Sequence, residues 1–390
     1  MIEESLYQFM YEVVGNTKSD YHRYMFSRIN WDARMIGLVG PRGVGKSTLL
    51  LQRVQQLSSA KVLYVTADHS YFTRYSLLEL ADDFVKDGGE YLFIDEVHKY
   101  HSWARELKQI YDCHAELHVV FTGSSVLDIA QGEADLSRRV VMYSMQGLSF
   151  REYLGIFHQI DLKPRSLDEM VNHPQPIDGL PHPLPYFREY LKKGYYPFCN
   201  EPEFEQRMQQ IVSQTIEVDI PQYADMKVST ASKLKKMLSI VASLAPYKPN
   251  AQQLAQEIGV SKNNVQDYLY YLEKAGMIGQ LRNDGGGLRL LGKVEKAYVD
   301  NPSLMTVLAG GKPNVGNLRE TFFYNQMRMT GLLTSSKVSD FAIGERTFEV
   351  GGRGKGQKQI ANIPNAYVVK DDIEFGYLNV VPLWTFGLGY

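Results

Sequence analysis

The stretch Gly40-Pro41-Arg42-Gly43-Val44-Gly45-Lys46-Ser47-Thr48 fits the spacing G-x-x-x-x-G-K-[ST], and few backbones accommodate it. Its glycines permit a tight turn that aims successive N–H groups inward, making an anion nest at a helix N-terminus. The flanks agree with that reading. Residues 34–39, Arg-Met-Ile-Gly-Leu-Val, form the short apolar run of a buried strand, and residues 47–57 have helical periodicity. In such a strand–loop–helix unit Lys46 reaches the β- and γ-phosphates of a nucleotide, and the Ser47 hydroxyl holds Mg²⁺. A nucleoside triphosphate is therefore the expected ligand, with residues 40–48 as its binding loop.

The pattern around the loop points to one fold class. Strand-like runs at 61–66, 90–95, 117–122 and 139–144 alternate with helix-like segments near 75–86, 102–113 and 125–131. Such alternation builds a parallel sheet covered on both faces, an α/β domain. A helical opening with Leu6, Phe9, Met10 and Val13 on one face precedes it, broken near Gly15-Asn16.

Beyond residue 145 the character changes. Pro164, Pro174, Pro176, Pro181, Pro183 and Pro185 crowd a stretch flanked by amphipathic helices, so 146–228 reads as a helical lid subdomain. In 229–300, Leu234, Met237, Leu238, Val241 and Leu244 make one helix face. Asn250 and Ser261 are placed to cap two further helices, and Gly259 supplies the turn between them. Asp284-Gly-Gly-Gly287 then tips a hairpin, which gives a winged helix-turn-helix. Residues 301–390 read as a mixed α/β domain. The expected division is thus 1–145, 146–228, 229–300 and 301–390.

Composition narrows the setting. A chain that is 44% hydrophobic and 22% charged is a folded one. Its net charge of −2 gives no chain-wide attraction to nucleic acid, so DNA would need a local patch. Two cysteines are too few for a disulfide framework and favour a reducing compartment. Met1-Ile-Glu-Glu-Ser lacks a signal-peptide core, and no apolar run approaches a membrane span. A cytoplasmic protein with no membrane partner is expected.

Chemistry beyond the loop gathers at strand ends. Tyr91-Leu-Phe-Ile-Asp95-Glu96 closes an apolar strand with two acids. Asp95 is placed to orient Mg²⁺, directly or through water, and Glu96 to polarise an attacking water as general base. Thr122 or Ser124, after the next strand, can bond that water or the γ-phosphate, although Ser124 can equally cap a helix. Arg138 or Arg139 could enter a neighbouring subunit's site as an arginine finger, or remain a solvated pair. His114 and His118 have i,i+4 spacing, but residues 117–121 read as a strand, which breaks the zinc-site geometry of a helix face. On the third helix of 229–300, Lys262, Asn263, Gln266, Tyr270 and Lys274 point outward. They could read DNA or pack on neighbours, in a segment with ten Lys/Arg against six Asp/Glu.

The whole resembles the prokaryotic AAA-type ATPases in which a P-loop domain precedes a winged helix and an uncharacterised C-terminal domain. The resemblance rests on 40–48 and on Phe93-Ile-Asp-Glu-Val-His-Lys99 with Trp103 and Leu107. It also rests on Thr122-Gly-Ser-Ser125, Leu148-Ser-Phe-Arg-Glu-Tyr153, Gly194-Tyr-Tyr-Pro197 and Pro382-Leu-Trp-Thr-Phe-Gly-Leu-Gly389. It implies the strand order 5-1-4-3-2, ATP rather than GTP as ligand, hydrolysis with Mg²⁺, a finger near Arg138-Arg139, and homo-oligomers or a protein partner. It also implies a restriction-endonuclease-like C-terminal domain, whose metal-binding carboxylates would be Glu320, Asp340 and Glu349. Glu349-Val350-Gly351 departs from that pattern by lacking the usual lysine, for which only Arg353 or Lys355 could substitute. The rival functions are a nucleotide-gated DNA-binding regulator and a Mg²⁺-dependent nuclease with an ATPase motor.

Overall fold

Four strands are buried along almost their whole length, because a strand covered on both faces has no solvent side to keep polar. They are β1 (Met35–Val39), β2 (Val62–Thr66), β3 (Tyr91–Asp95) and β4 (His118–Gly123). The more exposed β5 (Val141–Ser144) completes the sheet at one edge. The fold was obtained as a computed structural model, which describes residues 2–57, 61–123, 136, 138–172, 177–223, 229–284 and 293–390. The chain divides into two compact units, Met1–Gly147 and Leu148–Tyr390.

In the first unit the strands run parallel in the order β2-β3-β4-β1-β5, the expected 5-1-4-3-2 read from the opposite edge. Its helices are α1 (Glu4–Gly15), α2 (Tyr24–Arg28), α3 (Lys46–Gln55), α4 (Leu77–Lys86) and α5 (Trp103–Cys113). Helix α4 starts at a capping box in which Ser76 and Glu79 satisfy each other's backbone N–H groups. Helix α1 packs on α3 and β2, and α4 on α5. Two glutamines of α3 fasten the chain before β1. Gln52 donates to the carbonyls of Lys18 and Tyr21, and Gln55 to those of Val14 and Thr17. Register decides where chemistry collects. Val39 pairs with Gly123 and Ile94 with Phe121, so Gly40, Asp95 and Thr122 all lie at the carboxyl edge, where open α/β sheets bind ligands. The expected helix at 125–131 lies outside the described residues.

In the second unit, helices Ser229–Leu244, Ala251–Ile258 and Lys262–Lys274 precede an antiparallel pair, β6 (Ile278–Arg282) and β7 (Val294–Val299). Asn250 accepts from the N–H groups of Gln252 and Gln253, Ser261 from that of Asn264, and Gly259 is left-handed, as their residue types suggest. Leu234, Met237, Leu238 and Val241 are buried. Leu244, expected on the same face, is instead 55% exposed, at the last residue of the helix. The expected hairpin tip at 285–287 lies outside the described residues.

A mixed sheet follows, in the order β12-β11-β10-β9-β8. Its strands are β8 (Leu333–Ser335), β9 (Phe341–Ile343), β10 (Arg346–Gly351), β11 (Ala366–Lys370) and β12 (Val380–Pro382). The first three are antiparallel and the last three parallel. Helix Val315–Met327 packs on β10 and is buried on most of its circumference. No helix among the described residues is long and apolar enough to cross a membrane.

Candidate nucleotide site

The loop turns because two of its glycines adopt backbone angles that side chains disfavour. Gly43 has φ +80°, and Gly45 has φ +96° as the residue that opens α3. Gly40 is required for closeness instead: a Cβ there would lie 2.2 Å from the Met145 carbonyl oxygen. The turn is braced from below by Arg23, whose buried guanidinium donates to the Val44 carbonyl (2.9 Å) and to those of Gln146 (3.0 Å) and Gly147 (2.9 Å). Sequence reasoning missed Arg23, since nothing in Tyr21-His-Arg-Tyr24 marks it.

Lys46 folds inward. Its ammonium donates to the carbonyls of Gly40 and Pro41, both at 2.8 Å, and the residue is 6% exposed. Burial pushes its pKa down to about 8, opposed by the charges of Asp95 and Glu96 and reinforced by Arg42. The loop lysine and both acids therefore share one electrostatic environment. Ser47 is half-buried in the first turn of α3, and Thr48 is exposed.

Asp95 is buried and held from both sides. The Tyr64 hydroxyl donates to Oδ2 at 2.9 Å, and the Thr122 hydroxyl donates to Oδ1. Thr122 also accepts the Glu96 N–H at 3.1 Å, so one hydroxyl fixes both acids. Glu96 is left-handed (φ +49°), a conformation that costs a non-glycine residue about 1 kcal/mol or more. The turn brings its carboxylate within 3.9 Å of the Arg42 guanidinium. Each Asp95 oxygen keeps lone-pair capacity beyond the hydroxyl it accepts, and Ser47 adds another oxygen donor. That donor set suits a hard cation such as Mg²⁺.

His98 is buried beside the loop. Burial, then the charges of Lys99, Arg42 and Lys46, lowers its pKa to about 3, so it stays neutral. His118 stands in β4 and His114 beyond the end of α5, where it pairs with Asp82 at 2.7 Å, so the two share no helix face. Arg139 makes a two-pronged contact with Asp112 of α5 (2.9 and 3.0 Å), whereas Arg138 is exposed. Ser124 lies outside the described residues.

The second unit gathers its own charged cluster. Lys296 of β7 donates to Glu320 (3.4 Å) and Asp340 (3.2 Å), Tyr298 donates to Glu320 (3.1 Å), and the Val350 N–H to Asp340 (3.0 Å). Burial, then Asp340, raises the Glu320 pKa against the pull of Lys296. Lys355 pairs with the buried Glu349 at 2.5 Å, while Arg353 is exposed. Glu320 and Asp340 thus share one lysine and Glu349 carries another, so each acid has an ammonium group seated on it. Among the described residues no three His, Cys, Asp or Glu side chains are grouped as metal ligands. Lys262, Asn263, Gln266 and Tyr270 are exposed, and Lys274 lies over the Tyr270 ring at 5.6 Å.

With the loop, the strand-end acids and the strand order in place, comparison with known proteins places the first part of the chain. Residues 32–154 match a family model described as an AAA domain. Residues 184–314 match a model described as a domain of unknown function (DUF8612), and no curated protein matches. Similar solved structures include the Walker-type ATPase paby2304 of Pyrococcus abyssi, at 13% identity and TM-score 0.43, covering 74% of this chain and 96% of that one. AMPPCP-bound DnaA from Aquifex aeolicus is 13% identical, with TM-score 0.25 and coverage of 70% and 90%. The S. cerevisiae Hsp104–ADP complex is 15% identical, with TM-score 0.33 and coverage of 68% and 42%.

Proposed function

We propose that this chain binds ATP in the loop 40–48 and hydrolyses it with Mg²⁺. The observation that carries the reading is the convergence of Lys46, Asp95 and Glu96 at one sheet edge, close enough for both acids to act on the lysine. The loop N–H groups and Lys46 hold the phosphates, exchanging the Gly40 and Pro41 carbonyls for phosphate oxygens. Asp95 and Ser47 would hold Mg²⁺, which when bound neutralises charge on the β- and γ-phosphate oxygens. Glu96 takes the proton of the attacking water, and Thr122 keeps Glu96 and Asp95 in register. Turnover of the wild type against Glu96→Gln tests this. The variant should lose about 100-fold or more while still binding ATP. Equal rates would remove Glu96 as the base.

In this reading the segments 146–228, 229–300 and 301–390 serve as a helical lid, a winged helix-turn-helix and an endonuclease-like domain that respond to nucleotide state. Arg138 suits a finger better than Arg139, whose guanidinium already grips Asp112. Sizing the protein with and without a non-hydrolysable ATP analogue examines that: a monomer throughout excludes a finger in trans. A second reading, a nucleotide-gated DNA-binding regulator, draws on the exposed Lys262, Asn263, Gln266 and Tyr270 of one capped helix. A gel-shift series across salt decides it, since phosphate contacts weaken as salt rises and no shift at low salt removes it.

A further inference from the structure

We propose that Tyr64, a residue of β2 outside the loop and the strand-end acids, is a positioning residue that sets the metal-handling orientation of Asp95. The inference rests on the ATPase reading above and adds a part to it.

Tyr64 is 4% exposed and reaches Asp95 from the neighbouring strand, while Thr122 reaches it from the strand on the other side. The strand carrying the acid is thus bracketed by two hydroxyl donors, one per carboxylate oxygen. Thr122 accepts the Glu96 N–H while its own proton goes to Asp95, so its hydroxyl is fixed from both sides. Tyr64 is itself immobilised. Its ring stacks on Phe9 of α1 (centroids 6.3 Å apart, 20° between planes), and its N–H meets the Met10 sulfur at 3.3 Å.

A hydrogen bond to a charged group is stronger and shorter than a neutral one, and two of them on opposite oxygens stop the carboxylate from rotating. The lone pairs left over then face one direction. Removing the Tyr64 hydroxyl frees Oδ2, lets the carboxylate turn about the Thr122 bond, and makes a hydrated cation harder to hold. Phosphate binding by the loop does not involve this contact and is left intact.

The test is Tyr64→Phe, which keeps the ring and its stacking on Phe9. Two titrations read it: Mg²⁺ dependence of turnover at fixed ATP, and affinity for a fluorescent ATP analogue with and without Mg²⁺. The variant should need about tenfold more Mg²⁺ for half-maximal effect, the worth of one hydrogen bond to a charged group. Its metal-free nucleotide affinity should stay within about twofold of wild type. An unchanged Mg²⁺ midpoint, or an equal loss of metal-free affinity, overturns the proposal. Failure of the underlying reading looks different: the wild type would then neither bind the analogue nor release phosphate, and Lys46→Met would change nothing.

Discussion

If ATP is bound as proposed, the burial of Lys46 should make its affinity depend on pH in a calculable way. In the free protein its ammonium rests on the Gly40 and Pro41 carbonyls, and its pKa is lowered to about 8. A triphosphate favours the protonated form, so binding above pH 8 must recapture a proton. With that pKa the lysine is about 90% protonated at pH 7 and about 10% at pH 9, so affinity should fall about tenfold, or ~1.4 kcal/mol. The terminal phosphate, ionising near pH 6 as phosphomonoesters do, contributes little in that window. Calorimetric titration of metal-free ATP in buffers of differing ionisation enthalpy should show uptake of about one proton per nucleotide at pH 9 and little at pH 7.

The same shift fixes a stability sign. A lysine whose pKa is lower folded than unfolded costs stability while both states are protonated, and the cost is relieved as pH rises from about 8 toward the unfolded value. The cost at pH 7 is about 3 kcal/mol. Lys46→Met should therefore raise the melting temperature of the free protein at pH 7, raise it less at pH 10, and bind nucleotide weakly and independently of pH. A flat dissociation constant for the wild type from pH 7 to 9, with no proton uptake, would refute the desolvation argument.

Two further outcomes follow from packing and charge. Lys296→Met removes the ammonium between Glu320 and Asp340 and should cost about 1–3 kcal/mol, because it leaves two half-buried carboxylates uncompensated. Denaturation midpoints should show the deficit shrinking as pH falls toward the carboxylate range, and Mn²⁺ should stabilise this variant but not the wild type; a wild type stabilised by Mn²⁺ and able to nick supercoiled plasmid would show that the cluster binds metal. Gly40→Ala drives a methyl into the Met145 carbonyl at 2.2 Å, so it should displace the loop and abolish binding of the fluorescent analogue, and wild-type affinity would disprove the close approach.

Much of the first unit was legible because its signals are local. A glycine-spaced loop, apolar runs the length of a strand, and acids or hydroxyls at strand ends each announce themselves within about ten residues. Hence residues 40–48, Asp95, Glu96 and Thr122 could be named, as could the caps at Asn250 and Ser261. The strand order was legible only through resemblance, since a sequence does not say which buried strands are neighbours. Arg23 and Tyr64 were invisible for the same reason. Arg23 bonds partners 21, 123 and 124 residues away and Tyr64 one 31 residues away, and neither has a neighbour in sequence that hints at its partner. The second unit repeats the lesson: resemblance pointed to Glu320, Asp340 and Glu349, and to Lys355 beside the last, yet nothing near Lys296 in the sequence shows that it sits between Glu320 and Asp340.

At the loop Gly40–Thr48, then, the amino-acid sequence determined that a tight turn would form, because its glycines take backbone angles that other residues disfavour. Tertiary structure decided everything that tunes it: a lysine desolvated by the fold around it, a loop braced by a distant arginine, and an aspartate held between hydroxyls from two other strands. Desolvation and long-range hydrogen bonds depend on three-dimensional proximity, and proximity is the one quantity a sequence does not state.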